Sequence, residues 1–245
     1  MKVRVRYSKT GKVRFTSHRD TARHWERAVR KAGVKVAMSA GFTPRPRMSF
    51  GLALPTGAES LAEYLDIDLD ELPADIAEPD ALCAVFDASM PPGYAATRVA
   101  ERDRSVASLQ DAVVSCTWRF DLVGVDRSQV EGEIGRVLGA ASLPLERERK
   151  GQRSTDDVRP AIESLALAPV IAEGDGQRVG IEARLATATR GLRPLELVAV
   201  LLPSHDAVDT AARVLRTHQW IEADGVRGEV LPLDPVAGRS SSERN

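Results

Sequence analysis

The chain of 245 residues has the composition of a folded protein with aliphatic cores: 43% hydrophobic, 28% charged and 4% aromatic residues. This composition excludes wholesale disorder. No apolar run approaches the ~20 residues that a membrane-spanning helix needs, and the N-terminus alternates where a signal peptide would be continuously apolar. The sequence therefore predicts a cytoplasmic protein that does not enter a membrane, with room for two domains of ~100 to 200 residues each.

The net charge of -1 conceals a strong polarity along the chain. Residues 1–50 carry 14 Lys and Arg residues against Asp20 and Glu26, a balance of +12, whereas residues 51–100 carry Arg98 against ten acids, a balance of -9. A concentrated positive field is typical of a protein that binds a polyanion. The alternative is a solvated basic face that the following acidic stretch neutralises.

Alternation at the N-terminus predicts a two-stranded basic ribbon. Residues 2–7 place apolar side chains on one face and Arg4 and Arg6 on the other, which is the period of a half-buried strand. After a turn, residues 12–15 resume the alternation. We expect the basic side chains of both strands to face solvent.

A cationic amphipathic helix is predicted over residues 18–32. Ser17 followed by Asp20 is typical of a helix N-terminus, and Gly33 is typical of a C-terminal stop. An apolar stripe around Trp25 predicts the buried face. The opposite ridge carries Arg19, Arg23, Arg27, Arg30 and Lys31.

The next elements complete a β, α, β, β, α, β order in residues 1–104. Pro44 and Pro46 predict an extended, exposed basic loop over residues 41–47. Residues 48–54 and 64–69 predict a hairpin, and residues 79–89 and 96–100 predict a helix and a closing strand. This order indicates a split βαβ, ferredoxin-like domain, with an antiparallel sheet and helices on one face.

The second half repeats the pattern after a charged boundary at residues 101–112. Within residues 113–224 we expect strands over 115–123, 143–148, 158–167 and 179–185, a helix that begins near Asp126 or Ser128, and helices over 195–202 and 208–215. The predicted fold class is therefore α+β, with two tandem ferredoxin-like domains, the second one decorated. Residues 225–245 are predicted to be a tail, disordered at its end.

Residues that could support catalysis are scarce. The sequence lacks nucleotide-loop, Rossmann, zincin and hydrolase motifs, and its four histidines are too scattered to predict a metal site. Two cysteines are too few for an iron–sulfur cluster, so we predict no cofactor. His18, at the start of the basic helix, is the one candidate for a catalytic base, with capping or phosphate contact as its alternative.

The basic residues predict an RNA interface. No major-groove reading motif is present, whereas basic loops on small α+β sheets suit splayed bases and A-form backbones. Phe42, in the loop, is predicted to stack on a base, whereas Tyr7, Phe15 and Phe50 are predicted to pack in the core. The predicted RNA-binding residues are Arg4, Arg6, Lys9, Lys12, Arg14, His18, Arg19, Arg23, Arg27, Arg30, Lys31, Phe42, Arg45 and Arg47.

Several motifs resemble those of the radical-SAM-linked proteins, an uncharacterised bacterial family encoded beside or fused to a radical SAM protein. The resemblance is close over residues 1–70 and continues to about residue 222. It is carried by Ser17-His18-x-Asp20, Gly41-Phe42-x-Pro44-Arg45-Pro46, Ser49-Phe50-Gly51, Glu63-Tyr64-Leu65-Asp66 and the Arg-Pro pairs at 159–160 and 193–194.

The resemblance implies a separate radical SAM protein as the partner. Together with the basic residues, it leads us to expect an RNA-binding accessory protein in transfer or ribosomal RNA modification, without catalytic activity of its own. One alternative is a metal-independent endoribonuclease, similar to CRISPR repeat-processing enzymes. Another is a protein-interaction scaffold that uses the acidic residues 59–80.

Overall fold

Nine strands of the described residues form a mostly antiparallel sheet that runs through both halves of the chain. The computed structural model describes residues 1–102, 108–149, 151–171, 177–187, 191–223 and 225–232. Its strands are β1 (Lys2–Lys9), β2 (Met48–Phe50), β3 (Glu59–Asp68), β4 (Tyr94–Glu101), β5 (Val113–Val123), β6 (Pro144–Arg149), β7 (Gln152–Asp157), β8 (Ile162–Ala168), β9 (Arg178–Ala186), β10 (Ala211–Ala223) and β11 (Val226–Glu229). Its α-helices are α1 (His18–Lys31), α2 (Leu82–Asp87), α3 (Leu109–Ala112), α4 (Arg127–Gly139), α5 (Pro194–Leu201) and α6 (Ala207–Thr210).

The N-terminal half of the sheet has the order β4-β1-β3, with β2 paired to one end of β3. All of these pairings are antiparallel, and Val5 lies opposite Leu65 on one side and Val99 on the other. Trp25 from α1 and Phe86 from α2 are fully buried in the core on this sheet. Their rings meet edge to face with centroids 5.8 Å apart.

The second half has the order β10-β5-β9-β8, again with antiparallel pairing. The hairpin β6–β7 forms a separate two-stranded sheet between α4 and β8 in the sequence. Phe120 from β5 and Leu197 from α5 are fully buried in the core of this half.

The two halves join where β10 runs parallel to the beginning of β3, with Leu215 opposite Glu59. Arg216 and Glu63, both buried, form an ion pair across this joint at 2.5 Å. The charge of Glu63 raises the pKa of Arg216 even though burial acts in the opposite direction. The sheet is therefore continuous across the middle of the chain.

The predicted mixture of helices and strands is confirmed, and so is the cationic helix. The Ser17 hydroxyl accepts a hydrogen bond from the Asp20 N–H at 3.1 Å, and α1 ends before Gly33, whose φ is +68°. A φ in this region favours glycine, because a Cβ would be strained there. None of the described helices is long and apolar enough to cross a membrane.

Two predicted elements are wrong. Residues 11–15 form a 3₁₀ helix instead of a second ribbon strand, because Gly11 turns the chain with a φ of +70°. The helix predicted over 208–215 ends at Thr210, where β10 begins. The apolar residues that suggest a helix there, such as Val214, are held as a strand by pairing with β5.

Part of the predicted tail belongs to the sheet. Residues 226–229 form β11, which pairs with β10, and Leu231 is buried. Residues 233–245, including the end expected to be disordered, lie outside the described residues. Of the expected boundary at 101–112, residues 103–107 also lie outside them, and Leu109 in α3 is buried.

Candidate nucleic-acid interface

The prediction that Arg4 and Arg6 face solvent is wrong. Both are buried, and Arg4 makes two hydrogen bonds to the Asp66 carboxylate, at 2.7 and 2.9 Å. Arg6 pairs with Glu229 at 2.9 Å and donates to the Leu231 carbonyl at 3.1 Å. These guanidinium groups therefore hold the sheet together and are not available to phosphates.

Arg4 and Arg6 are buried because two segments that are distant in the sequence cover the face of β1 and β3 on which these arginines lie. Tyr64, on that face, packs with Leu109 from α3 and with Leu231 from the C-terminal segment. Lys9 is also buried, and its ammonium donates to the Thr16 carbonyl at 2.8 Å. Burial lowers the pKa of Lys9, against the opposing charge of Glu63. Because the side chain is buried and its ammonium is bonded to a carbonyl, the predicted RNA contact at Lys9 is wrong as well.

Helix α1 presents its cations to solvent as predicted. At 100° per residue, its four arginines fall within about 80° of one another on the surface opposite Trp25. The Arg23–Asp20 pair at 2.9 Å is solvent-exposed, and in the part of the chain that the structure describes Arg19 and Arg30 have no carboxylate partner. We call this surface the α1 cationic face; it consists of Arg19, Arg23, Arg27, Arg30 and Lys31.

Local hydrogen bonds fix the charge state at the start of α1. Hydrogen bonds from Ser17 and Arg23 hold the pKa of Asp20 below its usual value. Burial and the charge of Arg27 lower the pKa of His24, whose ring lies 5.5 Å from that of Tyr94. The first shift favours the Asp20 carboxylate and the second favours a neutral His24, so the positive charge of this region is carried by its arginines.

His18 is exposed at the first turn of α1. Its ring meets Phe50 of β2 edge to face, with centroids 5.2 Å apart. Among the described residues no side chain makes a hydrogen bond to the imidazole, so nothing in that range orients it as a base would be oriented. Phe50 itself is half-buried, as the prediction of core packing requires.

The basic loop forms a projecting turn. Met38 forms an isolated β-bridge with Pro46, and the Ser39 N–H donates to the Arg45 carbonyl at 2.8 Å. Gly41, at the tip of the turn, has a φ of +126°. Phe42 beside it is fully exposed. Arg45 and Arg47 are exposed too, with Arg47 at 3.8 Å from Asp68.

The 3₁₀ helix adds two more cations. Lys12 is exposed and Arg14 half-buried, with the Arg14 guanidinium 4.7 Å from the centre of the Phe15 ring. Phe15 is 62% exposed, so its predicted place in the core is wrong, whereas Tyr7 is buried as predicted. The change from strand to 3₁₀ helix turns Phe15 outward.

Sequence reasoning missed a cavity of about 430 Å³ between the two halves. It could not be foreseen because its walls come from positions 135 to 200 residues apart in the sequence. The only signal was the Arg-Pro pair that begins α5. Six side chains that line it are Arg14, Phe15, Arg193, Leu195, Val208 and Arg213.

The thiols and carboxylates are dispersed. The described residues contain no group of three or more His, Cys, Asp or Glu side chains arranged to hold a metal ion. Cys116 is buried in the core of the second half, whereas Cys83 packs against the N-terminal core. Burial raises the pKa of both thiols.

The comparison with protein families gives a clear assignment. Residues 2–194 match a family described as an uncharacterized protein conserved in bacteria, DUF2344. The chain belongs to this family. A search of curated protein sequences finds no match.

Solved structures also match this DUF2344 chain. One of them is a chain of "Crystal Structure of a Cbf5-Nop10-Gar1 Complex", with a TM-score of 0.48 and 8% sequence identity. The match covers 89% of the present chain and 48% of that chain, so the present chain spans about half of its length.

Proposed function

We propose that the protein is an RNA-binding accessory protein that acts with a separate radical SAM enzyme in transfer or ribosomal RNA maturation. The observation that carries the proposal is the α1 cationic face. Four arginines and a lysine are exposed there along a helix of 14 residues, about 20 Å at 1.5 Å per residue. This length is enough to contact several backbone phosphates, whose neutralisation dominates nucleic-acid affinity.

The projecting loop supports RNA over a general polyanion. Phe42 offers an unobstructed aromatic face, and Arg45 stands in the same turn. Stacking on an aromatic ring is the usual way in which proteins hold unpaired bases of RNA. A protein that bound only a uniform anionic surface would not need it.

We also propose that the two halves are two ferredoxin-like units. The strand orders support this, because β4-β1-β3-β2 and β10-β5-β9-β8 are the same order when the strands are counted within each half. A helix separates the first two strands of each unit and the last two. The β6–β7 hairpin is then an insertion in the second unit, and β11 an addition to it.

The radical SAM partner is supported by the sequence motifs alone. Cys83 and Cys116 belong to different cores, so they do not converge on one site. A radical SAM cluster needs thiolates that converge on it. We therefore assign the cluster to the partner, and the presentation of RNA to this chain.

The proposal is tested with labelled transfer RNA and a pair of charge reversals. Arg19→Glu with Arg23→Glu should weaken binding at least about tenfold, because each reversal removes a phosphate contact and adds a repulsion. Both arginines are exposed, and the one ion pair that is lost, between Arg23 and Asp20, is itself on the surface, so the fold should persist. The matched control is Arg127→Glu with Arg153→Glu, at exposed positions of the second half. Equal losses in both double variants would refute the α1 cationic face as the binding surface.

The same RNA, incubated with the protein in EDTA, tests the nuclease alternative. The proposal predicts intact RNA. Discrete products that disappear in His18→Ala would identify a metal-independent ribonuclease instead, because loss of a general base typically lowers the rate about 10² to 10⁴-fold.

A further inference from the structure

The cavity between the halves has the dimensions of a small-molecule site. Its volume of about 430 Å³ lies within the ~300 to 1,000 Å³ that ligand pockets occupy. One wall is the 3₁₀ helix with residues 55–58, and the other is the start of α5, α6 and the first residues of β10. Ligand sites often lie at such junctions between structural units.

The side chains in the cavity combine positive charge with exposed apolar surface. None of the described residues that line it is acidic, and within that part of the chain the guanidinium groups of Arg14 and Arg193 have no carboxylate partner. Phe15 is 62% exposed and Val208 67% exposed, so each of the two walls carries an apolar side chain that is open to solvent. This lining suits a ligand with a flat apolar part and an anionic part.

The walls of the cavity are fixed to each other by one buried carboxylate. Glu59 accepts a hydrogen bond from the Gly11 N–H at 2.6 Å on one side and pairs with Arg213 on the other. Within the first wall, the Gly57 N–H donates to the Arg14 carbonyl at 2.9 Å. The site is thus held open before any ligand arrives, and preorganisation of this kind lowers the entropic cost of binding.

The cavity also lies beside the start of the proposed RNA surface. Phe15 is two residues before Ser17, the cap of α1, and Arg19 is in the first turn of that helix. The Thr16 hydroxyl hydrogen-bonds the Tyr94 hydroxyl at 2.7 Å, which anchors the short connection. A strand of RNA that follows α1 towards its N-terminus is therefore led to the rim of the cavity.

We propose that this cavity binds one nucleotide, with its base against Phe15 and its phosphate between Arg14 and Arg193. Aromatic and guanidinium groups recognise the base and phosphate, respectively. If the nucleotide is part of bound RNA and is turned out of its strand, the inference rests on the proposed function. A free mononucleotide offers the same chemistry, and the experiment separates the two sources.

The test uses Val208→Trp, which fills the cavity from an exposed position, and Val226→Trp as the matched control. Val226 is 70% exposed in β11 and does not line the cavity. The four nucleoside monophosphates are titrated by NMR into the wild type and both variants, and a single-stranded RNA is titrated by fluorescence anisotropy. Val208→Trp should weaken binding of at least one probe about tenfold, whereas Val226→Trp should not.

Arg193→Ala tests the phosphate contact, with Arg127→Ala as its control. Arg193→Ala should weaken binding of a nucleoside monophosphate at least about fivefold. It should leave binding of the matching nucleoside, which lacks the phosphate, unchanged.

The outcomes separate this inference from the proposed function. If monophosphates do not bind but Val208→Trp weakens RNA binding relative to Val226→Trp, the cavity receives its nucleotide from RNA. If monophosphates bind in the cavity and RNA does not bind, the inference stands and the proposed function fails. If RNA binds through α1, and Val208→Trp equals Val226→Trp for every probe, the cavity inference is overturned and the proposed function stands.

Discussion

Strand β1 and helix α1 draw on the same basic segment of the sequence and use its charges in opposite ways. In β1, Arg4 and Arg6 are buried in ion pairs with acids from β3 and the C-terminal segment. In α1, the arginines are exposed, and Arg23 pairs only with a surface acid. The charge balance of a segment therefore gives its excess of cations. Whether a particular cation can contact a ligand depends on whether other parts of the chain bury it.

Strand β3 holds several of the acidic residues that give residues 51–100 their negative charge balance. Its Asp66 and Asp68 pair with cations of β1, and its Glu59 and Glu63 pair with arginines of β10. These acids belong to the fold and do not screen α1. The positive surface is consequently smaller than the balance of +12 suggests, but it is concentrated on one helix and its neighbouring loops.

The largest expected effect is at the joint between the halves. Glu63→Ala removes the partner of Arg216, which is 2% exposed, and should lower the free energy of unfolding by about 3 to 5 kcal/mol. Chemical denaturation measures the loss. The control is Glu71→Ala, which breaks an exposed pair with Lys35 and should leave the denaturation midpoint unchanged. Equal midpoints for the two variants would contradict the assignment of a structural role to the buried pairs.

The projecting loop should show the reverse behaviour. Phe42→Ala should weaken binding to a single-stranded RNA by about 1 to 3 kcal/mol, the usual contribution of a stacked base, without changing thermal stability. Anisotropy titration and a thermal melt measure the two quantities. An unchanged affinity would remove Phe42 from the interface.

A smaller effect is expected at the N-terminal cap of α1. Ser17→Ala removes the acceptor of the Asp20 N–H and should cost about 1 kcal/mol of stability. Ser17→Thr retains a hydroxyl that can accept from the Asp20 N–H and donate to the Asp20 carboxylate, and it should recover most of the loss, as measured by denaturation. If both variants lose stability equally, the cap does not define the start of α1.

The smallest effect is the pH dependence at Asp20. Hydrogen bonds from Ser17 and Arg23 lower the pKa of Asp20 in the folded protein. Its contribution to stability is therefore complete above the pKa of the unfolded state and is lost as the pH falls through the lower folded value. Asp20→Asn should be less sensitive to acid than the wild type over that interval, in melts recorded at successive pH values. A variant that loses stability with acid as steeply as the wild type would contradict the assignment.

The contrast between β1 and α1 also explains what could be predicted from the sequence. The limits of α1, its cap, its buried Trp25 and its cationic face follow from a 3.6-residue period bounded by Ser17 and Gly33, which are all local signals. The exposed loop follows from Pro44 and Pro46 in the same way.

The burial of Arg4 and Arg6 could not be predicted, because alternation shows that a strand has two different faces and not what covers the second one. Here the cover comes from residues 109 and 226–232. The cavity depends on the same long-range assembly, since Phe15 and Val208 line one cavity only after β10 pairs with β3. The start of β10 could not be predicted either, because a short apolar run fits both a helix and a strand.

The salt dependence of RNA binding tests the central claim most directly. The logarithm of the association constant for a single-stranded RNA is measured against the logarithm of salt concentration between about 50 and 200 mM. With several phosphates held by α1, the wild-type slope should be steep, at about -0.7 for each contact. In the double variant with Arg19→Glu and Arg23→Glu, the slope should be shallower by the amount that about two contacts contribute. The control variant with Arg127→Glu and Arg153→Glu should keep the wild-type slope. A flat wild-type dependence, or the same slope in all three proteins, would contradict the account.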